Sequence, residues 1–406
     1  MKIIADFHIH SKYSRAVSPK MNLEEISKHG KIKGIDIIGT GDFTHPLWFS
    51  ELKEKLVLNS SNFYSLKGGN SINFVITGEV SLIYVKNGKT RKVHIVLICP
   101  DLEIAEKVNK RLAEDQNLSS DGRPIFSLDA KEFLKIILDI SKDIVVIPAH
   151  IMTPWFSLYG SRSGFDSIYE CFEELSDYIY AFETGLSADP SMLVQIKECR
   201  ERTLLSNSDA HSPAKLGREA NVFDCDLNYN AVIQKIKEND LLETIEFYPE
   251  EGKYFNDGHR KCGINFSYKE TEKYGGICPV CQKPLTLGVL NRVSALSDFK
   301  GGTDCKFKSL VPLREILGEI LGVQPLTKTV SREYEKLIRE FKSEFNILLY
   351  EDIANIKKID KVLSIAIEKV RKGEIEITPG YDGEFGKVRV FGERQKEKQI
   401  LQQTLL

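Results

Sequence analysis

Long apolar runs are missing from this chain of 406 residues. The longest, such as Ile144 to Ile147, fall far short of the ~18 residues that a membrane-spanning helix needs. The N-terminus opens on Lys2 and Asp6 rather than on a secretory leader, so a cytoplasmic protein without membrane association is expected. Cysteine is scarce too: eight residues are too few for a disulfide scaffold. Only Cys278 and Cys281 form a CxxC pair, for which metal binding is the better expectation. Net charge is nearly absent, at −2, which would argue against a polyanionic partner if it were evenly spread. It is not. Residues 1–250 hold 29 Lys+Arg against 36 Asp+Glu, whereas 251–406 hold 27 against 22. An acidic first part and a basic second part suit a metal-binding catalytic unit joined to a module that meets phosphates. At 42% hydrophobic and 28% charged residues the chain can bury a core, and its length suggests two or three domains.

Short apolar runs of strand length recur through the first 250 residues: Ile3 to Phe7, Ile35 to Ile38, Phe74 to Ile76, Val93 to Ile98, Ile144 to Ile147, Tyr178 to Phe182 and Thr203 to Leu205. Helical stretches separate them at 23–29, 102–112, 130–140, 167–175 and 190–200, with Asn22 and Asp189 as N-caps. This alternation predicts an α/β domain with a largely parallel sheet or barrel, whose functional groups gather at the C-terminal ends of the strands. Residues that bear this out occur at five strand ends: His8 and His10, Asp42 and His45, Glu79, His150, and Asp209 and His211. His94 lies within a run. After Pro312 the pattern is helical at 313–321, 331–345 and 352–370, with Gly373 as a stop signal. Turn signals and short strands follow in 374–391, and the Gln- and Lys-rich tail after Glu393 reads as loosely ordered.

In Asp6-Phe7-His8-Ile9-His10 two imidazoles at spacing two share one side of an extended chain. Such imidazoles with carboxylates suit Zn²⁺, Mn²⁺ or Fe. Eight mixed N and O donors exceed what one ion needs, so two or three clustered divalent metals are expected, with Glu79 as a natural bridge. Clustered ions activate water, hold a phosphate oxygen and neutralise the leaving oxygen, which phosphoester hydrolysis needs most.

HxH, GD, GE, H, H and DxH in this order resemble the metal motifs of the polymerase and histidinol phosphatase (PHP) superfamily. The resemblance implies a distorted (β/α)7 barrel with ligands His8, His10, Asp42, Glu79, His94, His150, Asp209 and His211. Of these, His8, His10, Glu79 and Asp209 are expected to carry catalysis. There are two departures: Ser14-Arg15-Ala16 stands where many members carry a further histidine, and Phe43 replaces the histidine that commonly follows Asp42. His45 is open between ligand, phosphate contact and turn residue. Near these motifs, Trp155, Phe156, Arg162, Ser163 and Arg218 are candidate substrate contacts, and Lys215 is a weaker one.

His259-Arg260-Lys261-Cys262 and Cys278-Pro279-Val280-Cys281 supply two half-sites of a structural zinc in a stretch poor in apolar residues. Cys305 is a possible substitute ligand. Lys253, Arg260, Lys261, Lys269, Lys273, Lys283 and Arg292 would turn a positive surface toward a polyanion. Three units are thus expected: 1–250 as the hydrolytic barrel, 251–308 as a basic zinc-binding module, and 309–406 as a mainly helical C-terminal region. This arrangement resembles the endonuclease Q family. That resemblance implies a DNA repair endonuclease cutting 5′ of deaminated bases (uracil, hypoxanthine, xanthine) or abasic sites with Zn, Mg or Mn in the barrel. It also implies damaged duplex or single-stranded DNA as partner, with a replication or repair protein as a second candidate. A PHP-type small-molecule phosphatase and a 3′ exonuclease are the alternatives.

Overall fold

The computed structural model describes residues 1–392 apart from 70 and 300–304; the tail after Glu393 lies outside the described residues. Lys2–Asp6 forms a strand with four of its five residues buried. It runs parallel to Ile37–Gly39 and antiparallel to Ala220–Asp224. From one edge to the other, the main sheet runs Phe307–Ser309, Glu243–Glu246, Ala220–Asp224, Lys2–Asp6, Ile37–Gly39, Asn73–Lys86, Tyr64–Leu66 and Leu56–Leu58. Lys89–Cys99 branches from Asn73–Lys86 and pairs on with Val145–Pro148.

The expectation of a largely parallel sheet needs correction. Asn73–Lys86 and Lys89–Cys99 form one long antiparallel hairpin, in register from Ile76–Cys99 to Lys86–Lys89. Its cause lies in the two residues at the tip: Asn87 and Gly88 take φ of 54° and 72°, the left-handed pair that a two-residue hairpin turn requires. Phe74 to Ile76 and Val93 to Ile98 are therefore fragments of much longer strands.

Ala181–Glu183 and Thr203–Leu205 pair with each other in parallel, and their ends reach the main sheet. Ile151 N donates to Glu183 O at 3.0 Å, and Phe7 N to Asn207 Oδ1 at 2.8 Å. One apolar cluster draws Ile3, Ile37, Val75, Val96, Val145, Ala181, Leu205 and Phe223 from eight strands.

Several helices follow their caps. Asn22 accepts from Glu25 N and Asp189 from Met192 N, and Gly373 closes Lys361–Lys372 in the left-handed conformation. The helix expected at 352–370 is two, Ile353–Ile359 and Lys361–Lys372, because Asp360 ends the first and caps the second. Likewise the stretch 190–200 breaks into Pro190–Leu193 and Lys197–Arg200.

A buried ion pair docks the C-terminal helices on the first part of the chain: Lys33 Nζ lies 2.7 Å from Glu344 Oε2, which also accepts from Tyr334 OH at 2.6 Å. Removing either charge would strand the other without solvent. Two segments cross between the expected units. Phe307–Ser309 extends the main sheet beside Glu243–Glu246. The hairpin Glu376–Thr378/Lys387–Arg389 returns to residues 250–256, where Gly380 N donates to Glu250 O and Asn256 N to Gly380 O. Among the described residues no helix is long and apolar enough to cross a membrane.

Candidate metal centre

Strand ends and the body of the long hairpin bring two donor groups together. His8, His10 and Asp209 form one, and Glu79, His94 and His150 the other, each with its donor atoms within 4.8 Å of one another. Glu79 touches both. Its Oε2 lies 3.5 Å from His8 Nε2 and 3.3 Å from His10 Nε2, while Oε1 lies 2.7 Å from His94 Nδ1 and 3.3 Å from His150 Nε2. His10 Nε2 lies 3.1 Å and His8 Nε2 3.8 Å from Asp209 Oδ1. These three atoms are buried without a well-formed hydrogen bond. Buried polar atoms are ordinarily satisfied, so two imidazole nitrogens and a carboxylate oxygen left converging fit a divalent cation.

The charge balance is consistent with that fit. Burial opposes ionisation of Asp209, but the adjoining His10 and His8 hold it far below the usual carboxylate range. Burial likewise opposes ionisation of Glu79, and His94, His8 and Arg123 hold it well below. His94, pushed down to about 4 chiefly by burial, is neutral at pH 7 and so ready to donate a lone pair.

Asp42 was expected among the ligands, and the structure puts it elsewhere. Oδ1 is 2.9 Å from His10 Nδ1, and Oδ2 accepts from Ser11 N, Ser11 Oγ and Ser14 Oγ. It stands behind His10 and fixes which ring nitrogen faces the centre. Ser14 occupies the region where a further histidine was missing and holds Asp42 instead. His211 is half-buried, with Nδ1 2.8 Å from Asp209 O and its ring 4.7 Å from that of His10; it borders the first group without joining it. His45 begins the helix Pro46–Lys55 and stacks on Tyr13 at 4.5 Å, which favours the turn-residue reading.

Two residues went unnoticed in the sequence. Glu183 accepts from His8 Nδ1 at 2.9 Å, His150 N at 2.8 Å and Asn207 Nδ2 at 2.9 Å, so one buried carboxylate orients a histidine from each group. Its signal was a glutamate closing an apolar strand. Arg123 Nη1 meets Glu79 Oε2 at 3.0 Å and carried no signal beyond an acidic, turn-rich setting.

The backbone is unusual where the donors sit. Asp42, His150 and Asp209 have φ of 48°, 34° and 45°, a left-handed region costly for residues with a Cβ. Gly185, at φ 65°, approaches so closely that a Cβ would lie 2.3 Å from His150 Cβ.

The candidate substrate contacts divide. Trp155 is 42% exposed, Arg162 is exposed and Phe156 half-buried. Ser163 is buried, accepting from Phe156 N and donating to Lys92 O, and so is a brace within its loop rather than a substrate contact. Arg218 turns inward, with Nε donating to Ser208 O at 2.7 Å, and props the Asp209 loop.

His259, Cys262, Cys278 and Cys281 converge as a third group. Cys305 instead lines a cavity of about 380 Å³ with Cys199, Arg200 and Lys306. Of the seven basic residues around this module, six are exposed and Arg292 is not.

Residues 312–374 match the family described as MJ0043 C-terminal domain. The lesion-specific endonuclease PfuEndoQ of Pyrococcus furiosus superposes with a TM-score of 0.86 at 30% identity, over 97% of this chain and 96% of that one. Endonuclease Q in complex with a 27-mer duplex carrying an abasic lesion superposes with a TM-score of 0.84 at 31% identity, over 98% of both chains. The uncharacterized protein MJ0043 of Methanocaldococcus jannaschii is 38% identical over 248 residues; these are 58% of this chain, and the match spans 31% of that relative's length. The fold and the site define a metal-dependent phosphodiesterase. Within that class, the chain belongs to the endonuclease Q family.

Proposed function

We propose that this protein is a DNA repair endonuclease that hydrolyses the phosphodiester 5′ of a deaminated base (uracil, hypoxanthine or xanthine) or of an abasic site. The observation that carries the reading is Glu79 bridging two buried donor groups in a chain alike end to end to an endonuclease crystallised on a lesion duplex. His8, His10 and Asp209 would hold one divalent ion and Glu79, His94 and His150 a second. His211, which borders the first group, is the remaining candidate ligand. Zn, Mg or Mn suit these donors. Bound there, such ions supply an activated water and neutralise charge on the leaving oxygen.

The chain's own residues do the positioning. Asp42 and Glu183 hold His10 and His8 by Nδ1, which leaves both Nε2 atoms aimed at the centre. Residues 1–250 form the hydrolytic unit, a PHP-type barrel. Residues 251–308 form a basic module in which His259, Cys262, Cys278 and Cys281 would hold a structural zinc, with Lys253, Arg260 and Lys261 facing DNA. Residues 309–406 form the C-terminal unit. Selection of the lesion follows from the lower cost of unstacking a mispaired or missing base, with Trp155, Phe156 and Arg162 as candidate contacts at the mouth of the centre.

A labelled duplex with one internal uracil, hypoxanthine or abasic site tests this. Incision on the 5′ side with Mg²⁺ or Mn²⁺, lost with chelator and with Asp209→Ala, is the expected result. Digestion only from 3′ ends, with circular DNA left intact, or turnover only of small phosphate monoesters, would overturn it.

A further inference from the structure

The segment after His150 folds back on itself and on the strand that carries His94. Tyr159 N donates to Ile151 O at 2.9 Å, Phe165 N to Leu158 O at 2.7 Å and His94 N to Phe156 O at 3.0 Å. The Phe156 ring lies 4.9 Å from His94, and exposed Trp155 meets Tyr254 edge-on at 5.6 Å. This loop joins a candidate ligand to the aromatic rim of the centre.

Its outer side is gripped from another part of the chain. Arg292, on the helix Val289–Leu296, donates through Nε to Tyr159 O at 2.8 Å and through Nη2 to Phe165 O at 2.7 Å, and pairs with Asp166 Oδ1 at 2.7 Å. The fork geometry of a guanidinium suits such a bridge and an ammonium does not. The same helix is tied to the Cys/His module. Buried Asp257, two residues before His259 on one strand, accepts from Gly288 N at 2.6 Å and from Asn291 Nδ2 at 2.8 Å. The helix, pinned near its start to Asp257 and holding the loop through Arg292, thus links the module to the loop beside His150.

We propose that Arg292 is a positioning residue that couples the Cys/His module to the loop carrying Trp155 and Phe156, so that the module acts on the cleavage step as well as on DNA binding. This corrects the expectation that Arg292 faces the polyanion: its Nε and Nη2 are turned to loop carbonyls and Asp166.

Arg292→Ala tests it, with Asp166→Ala as a milder second variant that removes a carboxylate whose side chain is 72% exposed and leaves both carbonyl bonds. The kinetic arm rests on the DNA-cleavage reading; acrylamide quenching of Trp155, with a Trp155→Phe control to subtract Trp48, does not. In Arg292→Ala, kcat on the lesion duplex should fall about 10- to 100-fold, as expected when an aligned group shifts by an ångström or so. KM and duplex Kd should stay within about twofold, zinc content should be unchanged, Trp155 should quench more readily, and methylguanidinium should restore both kcat and quenching. Asp166→Ala should shift both the same way by about threefold at most. Unchanged quenching would overturn the proposal, as would weaker duplex binding at constant kcat, which would make Arg292 a phosphate contact. If the wild type cuts no lesion duplex, the cleavage reading falls and quenching alone decides the clamp.

Discussion

The two places where this chain gathers metal donors are built in opposite ways. The donors of the first centre come from positions up to 201 apart, His8 to Asp209, and sit on a large apolar core. The Cys/His donors lie within 23 residues, from His259 to Cys281, on tight turns with little apolar cover. The first group is held by the fold, whereas the second must help to hold its fold. Metal loss should therefore silence the first centre while leaving its surroundings folded, and loosen the module outright.

That contrast can be broken or sharpened in four ways. The largest effect should come from Glu79→Gln, because one side chain faces both donor groups. Cleavage should drop roughly 10³-fold or more with the circular dichroism spectrum kept; a loss limited to tenfold would deny the bridge. Next, Cys278→Ser should remove the module's ion and expose residues 253–299 to limited proteolysis while the main thermal transition of the α/β part persists. A single shared transition shifted as a whole would show that the two regions are not separable. Third, Glu183→Gln should weaken divalent binding by about 10- to 100-fold in isothermal titration of the ion-free protein, the range typical when an orienting carboxylate is lost. An unchanged affinity would leave Glu183 a mere core brace.

The smallest effect concerns stability. Burial pushes Glu246 up to about 8, from an ordinary carboxylate value in the unfolded chain. Its raised folded value means that the contribution is fully present below about 4.5 and is lost as pH rises through 8. Glu246→Gln should therefore melt at a Tm higher than wild type by an amount that grows from pH 5 to pH 8, reaching on the order of a few °C. A pH-independent difference would refute the assignment.

Much of the centre was legible because its donors obey a simple rule: a polar residue directly after an apolar strand. His8, His10, His150 and Asp209 follow it in the fold, whereas Glu79 does so only in the sequence pattern, since its strand runs on to Lys86. What escaped were residues whose meaning depends on a distant neighbour. Asp42 reads as a ligand by type and motif, but only the fold shows His10 Nδ1 and two serines taking both its oxygens. Glu183 closes an apolar strand as the rule asks, but its role shows only when His8 and His150 are placed against it. Arg292 reads as surface charge until the loop at 159–166 is folded over it. The long hairpin, by contrast, was legible and missed: Asn87-Gly88 between apolar runs is a local turn signal that needs no tertiary contact.

The left-handed backbone at Asp42, His150 and Asp209 has an engineering consequence. Strain held at functional positions is tolerated because the surrounding fold over-determines it, so activity and robustness pull against each other at those three residues. Replacing Asp209 by glycine, which accepts that conformation without penalty, should yield a catalytically dead protein that withstands heat better than the parent. Selection for thermal endurance alone would then drift toward erasing the centre, and any hardened version of this enzyme should be sought by changes away from the strand ends, with incision scored at every round.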